Sequence, residues 1–218
     1  FDQSVADVFQ DMIERSVPGY GVVLQLIGVI AEKYGQQDTR AYDLGCSLGA
    51  STLQLRRHLP GSCHVIGVDN SEAMVSRCIA NLSRDHSAAT YEILLEDLRE
   101  TNIQNASIVI LNFTLQFVPD EQRENILAHI FEGLSNGGVL LLAEKVKFED
   151  CSEQALMTTL HHDFKKQHGY SDLEISQKRA ALENVLIPNT EEQHRQRMRD
   201  AGFSVVEQCM RCLNFSTF

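Results

Sequence analysis

Between residues 41 and 144, short apolar runs alternate with helical stretches, and no other feature of the chain limits its fold so tightly. The spacing predicts strands over 41–44, 64–68, 91–95, 107–111 and 139–144, the fourth reading Ser-Ile-Val-Ile-Leu. Continuous apolar strands of this kind belong to parallel sheets buried on both faces. Between them, helices are predicted over 50–59, from the cap Ser71 through Val75, Cys78, Ile79 and Leu82, and from Asp120 to about Leu134. Asn136-Gly137-Gly138 reads as the turn ahead of the fifth strand. Strand–helix alternation implies right-handed crossovers and helices on both sides of the sheet.

The flanks depart from this rhythm. Two helices, 5–15 and 22–34, precede it and are separated by Pro18-Gly19. After Lys145 the stretch 151–186 is helical and polar-rich, too long for a simple crossover, and reads as a helical insertion. A helix over 190–201, stopped by Gly202, leads to two β segments, 203–208 and 211–215, expected as a hairpin at the sheet edge. The expected organisation is one α/β Rossmann-like domain over 1–218, with N-terminal helices over about 1–36 and the insertion over about 151–186.

Charge and cysteine usage narrow the setting. A formal net charge of -11 repels phosphate backbones, so direct nucleic-acid binding is not expected. The longest apolar run, 139–143, is far too short to span a bilayer. No leader opens the numbered chain, which starts on Phe1 and not on Met, so a native segment ahead of it is expected. Six scattered cysteines form no compact disulfide framework and fit a reducing, cytoplasmic compartment. Cys209 and Cys212 make a single CxxC without two further ligands nearby; it lies in a β segment, where i and i+3 face opposite sides, so no metal is expected.

The loop after the first strand carries the chemistry: Asp43-Leu44-Gly45-Cys46-Ser47-Leu48-Gly49. Gly45 and Gly49 let the backbone turn tightly and approach a ligand, and the following helix offers its free N–H groups. The spacing is Asp-x-Gly-x-Ser-x-Gly and not the G-x-G-x-x-G of dinucleotide sites. A carboxylate two residues before the first glycine disfavours a pyrophosphate and favours an ammonium or sulfonium, which points to S-adenosylmethionine. Asp69 ends the second strand about twenty residues on, placed to accept both ribose hydroxyls. Asn70 follows as an adenosine contact or as the cap of the next helix. Asp97-Leu98 follow the third strand, where an acid can accept from an adenine amino group, and Asn112 ends the fourth, beneath the sulfur-bearing chain. Gly45, Cys46, Ser47, Asp69, Asn70, Asp97, Leu98 and Asn112, with Asp43, form the candidate cofactor site.

With these residues the stretch 41–144 resembles the class I S-adenosylmethionine-dependent methyltransferase superfamily, whose sheet has seven mostly parallel strands and an antiparallel last strand. Five further stretches resemble one family within it, the carboxy-S-adenosyl-L-methionine synthases: Arg15-Ser16-Val17-Pro18-Gly19-Tyr20, Asp43 to Gly49, Leu111-Asn112-Phe113-Thr114-Leu115-Gln116-Phe117, His161-His162-Asp163-Phe164-Lys165, and Ile175-Ser176-Gln177-Lys178-Arg179 with Leu182-Glu183-Asn184-Val185. Ser47 departs from the common methyltransferase glycine pattern and agrees with this family. The resemblance implies that prephenate and S-adenosylmethionine give phenylpyruvate and carboxy-S-adenosylmethionine. A separate enzyme then uses that product on wobble uridine of tRNA. It also implies a homodimer, a cofactor-contacting Tyr20, for which a core aromatic is the plain alternative, and Arg179 as the catalytic-site cation for the new carboxylate. Guanidinium matches carboxylate bidentately, although an exposed helix arginine near Glu183 is the plain alternative.

Taking a proton from a sulfonium methyl requires an acceptor and a dry site. No side chain beside the motifs is marked as that base, so the hydroxyl lost from prephenate is the expected acceptor. His161 and His162 are expected to serve packing and hydrogen bonding, since adjacent helical histidines point apart. Arg15, Lys165 and Lys178 are unranked candidates for the prephenate carboxylates. Two other readings use the same cofactor residues: a methyltransferase acting on a small molecule, and a non-catalytic S-adenosylmethionine-binding module.

Overall fold

The computed structural model describes residues 3–182 and 185–218; the side chains at 3–5, Lys178 and Arg179 lie outside the described residues. Two helices, α1 (Gln3–Ser16) and α2 (Tyr20–Tyr34), lead into the alternation β1 (Arg40–Leu44), α3 (Ala50–His58), β2 (His64–Asp69), α4 (Glu72–Leu82), β3 (Thr90–Leu95), β4 (Ala106–Asn112), α5 (Arg123–Gly133) and β5 (Leu134–Lys145). Then follow α6 (Cys151–Gln167), α7 (Asp172–Leu182), α8 (Glu191–Ala201), β6 (Met210–Cys212) and β7 (Phe215–Thr217). The strands form one sheet in the order β3-β2-β1-β4-β5-β7-β6. The first five run parallel, and β7 lies antiparallel between β5 and β6. Strand order reverses at β1, and open α/β sheets bind ligands beyond the carboxyl ends of their strands at such a point.

Burial on both faces explains the apolar strands. Ile108 and Ile110 of β4 pack with Val23, Ile27 and Leu55 on one side, while Val109 and Leu111 pack with Ile126, Leu127 and Ile130 of α5 on the other. The caps follow the local chemistry. Ser71 accepts from Met74 N–H, Thr190 forms a reciprocal capping box with Gln193, and Gly202 closes α8 in the left-handed conformation.

Three boundaries differ from expectation. Residues 203–208 make no strand. Phe203 stacks edge-on against Phe131, with ring centroids 5.1 Å apart, and Arg195 takes the Val206 carbonyl, so this segment packs on helices instead of extending the ladder. The edge hairpin is β6 and β7, shorter than predicted and ending nearer the C-terminus. Asn136-Gly137-Gly138 does turn the chain, but inside β5. The β4 ladder passes from Ala106↔Leu134 to Ile108↔Val139, which leaves the intervening residues as a bulge with Gly137 at φ 76°. Finally, Asp120 opens a 3-10 turn (Asp120–Gln122), and the helix proper starts at Arg123.

Candidate active site

The loop joining β1 to α3 is wound through three left-handed residues: Gly45 at φ 84°, Ser47 at 49° and Gly49 at 87°. Gly45 and Cys46 N–H both donate to Val68 O, at 2.8 and 2.9 Å, drawing the loop across the end of β2. Ser47 N–H donates to Asp69 Oδ2 and Ser71 N–H to Asp69 Oδ1, both at 2.9 Å. These two bonds fix the plane of the carboxylate and leave each oxygen further acceptor capacity. Burial raises the Asp69 pKa from its ordinary value.

Beneath the loop, Asp43 is almost fully buried. Its Oδ2 accepts from Thr52 Oγ1 at 2.6 Å, whereas Oδ1 has no hydrogen-bond partner. On the neighbouring strand, Asn112 Nδ2 donates to Ser51 Oγ at 3.0 Å, and its Oδ1 is likewise unpartnered. An orphaned carboxylate oxygen and an orphaned amide oxygen on neighbouring strands suit a cationic ligand that brings N–H donors. Burial pushes the Asp43 pKa up to about 7. A group raised in the folded state adds stability that is complete below its unfolded pKa, near 3.8, and lost as pH rises through 7. Asp43→Asn is therefore expected to flatten the decline in melting temperature of the ligand-free protein across that window. A slope equal to wild type in thermal scans at stepped pH would assign the decline to other groups.

Ser71, not Asn70, caps α4, so Asn70 is left for the cavity wall. Asp97 is gripped by Arg99, which donates to its Oδ1 from N–H at 3.0 Å and Nε at 2.8 Å and also engages Oδ2. That pairing holds the Asp97 pKa below the usual carboxylate range. Cys46 is buried against Cys78, and this hydrogen bond together with burial raises its thiol pKa.

These elements surround a cavity of about 1240 Å³. Tyr20, Gly45, Cys46, Ser47, Asp69, Asn70, Asp97, Leu98 and Asn112 all line it, and Asp43 lies behind its wall. Arg179 belongs to α7, but its side chain lies outside the described residues; Ala181 and Leu182, next along that helix, line the cavity. Arg15 is turned away. Its guanidinium is held by Asp11 and the His168 carbonyl and stacks on the Tyr170 ring, so of the three cations considered for prephenate the structure brings Lys165 to the wall, and Lys178 lies outside the described side chains.

Helix α1 supplies a further wall through Phe9, Met12, Ile13 and Ser16. It is tied down at its end: Ser16 O accepts from His161 Nε2 at 2.8 Å, and Ser16 Oγ donates to Tyr170 OH at 3.1 Å. Because a carbonyl can only accept, Nε2 of His161 carries the proton. Burial pulls the His161 pKa down to about 3, so the ring is neutral. Tyr20, Phe113, Phe215 and His161 form an aromatic chain, with centroid separations of 6.4, 5.8 and 5.0 Å. Burial raises the Tyr20 phenol pKa. Phe113 is itself left-handed, at φ 60°, and such strain clusters at functional sites.

Two organising residues carried no sequence signal. Glu144, fully buried, accepts from Leu115 N–H at 2.8 Å and Gln116 N–H at 2.9 Å, which anchors the loop after β4; burial pushes its pKa up to about 8. Arg123, also fully buried, donates to the carbonyls of Gln116, Val118 and Ile187 and to Asn189 Oδ1, joining that loop to the return limb of the insertion. Among the described residues, no group of three or more His, Cys, Asp or Glu is placed to hold a metal ion. Nor is any helix among them long and apolar enough to cross a membrane.

A family model described as a methyltransferase domain matches residues 41–138. Two curated relatives, each called carboxy-S-adenosyl-L-methionine synthase, come from Shewanella baltica (strain OS155 / ATCC BAA-1091) and Shewanella putrefaciens (strain CN-32 / ATCC BAA-453). Each is 51% identical over 218 residues, covering 100% of this chain and 90% of the relative. Among solved structures, the cyclopropane synthase MmaA2 of Mycobacterium tuberculosis superposes with a TM-score of 0.64 at 16% identity, over 84% of this chain and 61% of its own. Phosphoethanolamine N-methyltransferase 2 of Haemonchus contortus, solved with S-adenosyl-L-methionine, superposes with a TM-score of 0.58 at 17% identity, over 84% of this chain and 38% of its own.

Proposed function

The chain belongs to the carboxy-S-adenosyl-L-methionine synthase family, and from that membership and its cavity we propose that it converts S-adenosylmethionine and prephenate to carboxy-S-adenosylmethionine and phenylpyruvate. The observation that carries the reading is the convergence of the nine wall residues with two orphaned acceptors, Asp43 Oδ1 and Asn112 Oδ1, at the strand ends flanking the switch point. In this reading Asp69 accepts from the two ribose hydroxyls, Asp97 and Leu98 meet the adenine, and Tyr20 covers the ligand from the start of α2. The orphaned oxygens of Asp43 and Asn112 face the positively charged amino-acid end.

In the reaction, prephenate releases carbon dioxide and its hydroxyl group. That group leaves as water with one proton of the sulfonium methyl, and the methyl carbon bonds to the carbon dioxide. The residues accord with a substrate-derived proton acceptor. Burial pulls the His161 pKa down to about 3, which makes its unprotonated ring nitrogen a weak base, and Glu144 is committed to two backbone N–H groups. What these residues contribute instead is enclosure: the aromatic chain and the tethered α1 keep water from the carbanion-like centre. Arg179 is proposed as the ligand of the new carboxylate, supported by the family resemblance and by its helix reaching the cavity wall. The product would serve a separate enzyme that modifies wobble uridine in tRNA. The chain's acidic balance accords with not binding the tRNA itself. A cytoplasmic homodimer completes the proposal.

Incubation with S-adenosylmethionine and prephenate, followed by mass spectrometry, is expected to show an adenosyl product heavier by one carbon dioxide. Arg179→Ala is expected to keep S-adenosylmethionine binding but lose its preference for the carboxylated form. Wild-type turnover that instead methylates an added small acceptor, with no carboxylated product, would overturn the reading.

A further inference from the structure

The cavity wall extends past the candidate cofactor residues to the far side of β4. Asp69, Asp97 and Asn112 follow β2, β3 and β4, whereas Asn214 stands past the end of β5, where its carbonyl accepts from Val146 N–H at 2.9 Å. Leu213 and Asn214 make the two-residue turn between β6 and β7, and Leu213 is left-handed at φ 53°. That conformation is costly for leucine and persists only where the surroundings impose it. Here it accompanies a turn that delivers Asn214 to the cavity wall. Asn214 is only 2% exposed, yet its Oδ1 has no hydrogen-bond partner among the described residues. Buried amide oxygens are nearly always partnered, so this one calls for a donor from outside the chain. Phe215, next along, also lines the cavity and stacks edge-on against both Phe113 and His161. A polar amide and an apolar wall are thus consecutive in the chain on this side of the cavity.

We propose that Asn214 contacts the co-substrate and accepts the hydrogen bond of its departing hydroxyl. The assignment rests on the synthase reading for the identity of that co-substrate and adds a residue that orients it. Prephenate carries a ring with one hydroxyl, which suits an apolar wall next to a neutral amide. The χ2 torsion of asparagine is broad, so the amide can turn its oxygen onto a donor seated in the cavity. Accepting the hydroxyl hydrogen leaves the oxygen lone pairs free to turn toward the sulfonium methyl. The electron pair of the breaking carboxylate C–C bond moves into the ring, which becomes aromatic as the C–O bond breaks. The departing oxygen takes one methyl proton and leaves as water, and the methyl carbon bonds to the carbon dioxide. Asn214 itself neither gains nor loses a proton.

Protein saturated with S-adenosylhomocysteine, which lacks the reacting methyl, can be titrated with prephenate and with its 4-deoxy analogue, in which hydrogen replaces the hydroxyl. Wild type is expected to bind prephenate about ten-fold more tightly than the analogue, the scale of one hydrogen bond to a group otherwise left unpaired. Asn214→Ala is expected to bind the two compounds within about two-fold of each other and to keep S-adenosylmethionine affinity within about two-fold of wild type. A merely structural role would weaken both compounds and keep their ratio, so a preference retained in Asn214→Ala would overturn the assignment. Equal binding of the two compounds by wild type would overturn it as well, with no variant required to fold, and would leave an internal water as the partner of Oδ1. A wild type that takes up neither compound and forms no carboxylated product would overturn the synthase reading, and the assignment with it.

Discussion

Replacing Gly45 by alanine is expected to reduce S-adenosylmethionine affinity by at least about a hundred-fold and to lower the melting temperature by several degrees. At φ 84° an L-residue pays a left-handed penalty of about 1–2 kcal/mol before any contact is considered. An added Cβ would also lie 2.4 Å from Thr114 Oγ1 and 2.5 Å from Thr114 Cγ2. Rotating the Thr114 side chain does not clear the contact, because its Cβ also lies 3.0 Å away on a loop that Glu144 holds through Leu115 and Gln116. The strain therefore moves the β1–α3 loop, which is the surface expected to meet the ligand. At roughly 2–4 °C per kcal/mol for a chain of this size, the stability loss is readily seen by calorimetry. Thr114→Ala in the same chain should return part of the loss, since it removes the two nearest atoms. A Gly45→Ala protein that binds the ligand within a few-fold of wild type would show that this loop does not approach it.

Asp69→Ala is expected to weaken S-adenosylmethionine by about a hundred- to a thousand-fold. Two charge-assisted hydrogen bonds to ribose are each worth about 1.5–3 kcal/mol, and every 1.4 kcal/mol is tenfold. The alanine also releases Ser47 and Ser71 N–H, so part of the loss is loop order. Asp69→Asn separates the two effects. It keeps the shape and one good acceptor but presents an amide N–H₂ to one of the two backbone donors, and an intermediate affinity is expected. If titration calorimetry found Asp69→Ala equal to wild type, the sugar would have to be gripped elsewhere.

The residues that carry these predictions were legible in the sequence because their signals are local. The Asp-x-Gly-x-Ser-x-Gly spacing fixes a turn within seven positions, and Asp69, Asp97 and Asn112 are marked by where apolar runs stop. Glu144 and Arg123 were invisible for the opposite reason. The partners of Glu144 lie 28 and 29 residues away, and Arg123 reaches Ile187 and Asn189, 64 and 66 residues on. Nothing in the run Leu-Leu-Leu-Ala-Glu says whether its acid faces solvent or the interior. The same limit misassigned 203–208: Phe203 and Val206 read as a strand face, yet Phe203 meets Phe131 of α5 and the Val206 carbonyl is taken by Arg195 of α8. Arg15 was one of three unranked cations for the prephenate carboxylates, and its bonds to Asp11 and His168 O show it engaged elsewhere.

Helix α1 adds no strand and packs mainly on α2, α4 and α6, yet it walls the cavity. Part of the cavity's enclosure is thus carried by a segment that contributes no strand. In the proposed reaction, this segment would help decide how dry the reacting methyl is. Catalytic rate can accordingly be tuned by changes far from the glycine loop in sequence, through how firmly one helix shuts out bulk solvent, while the architecture beneath it stays the same.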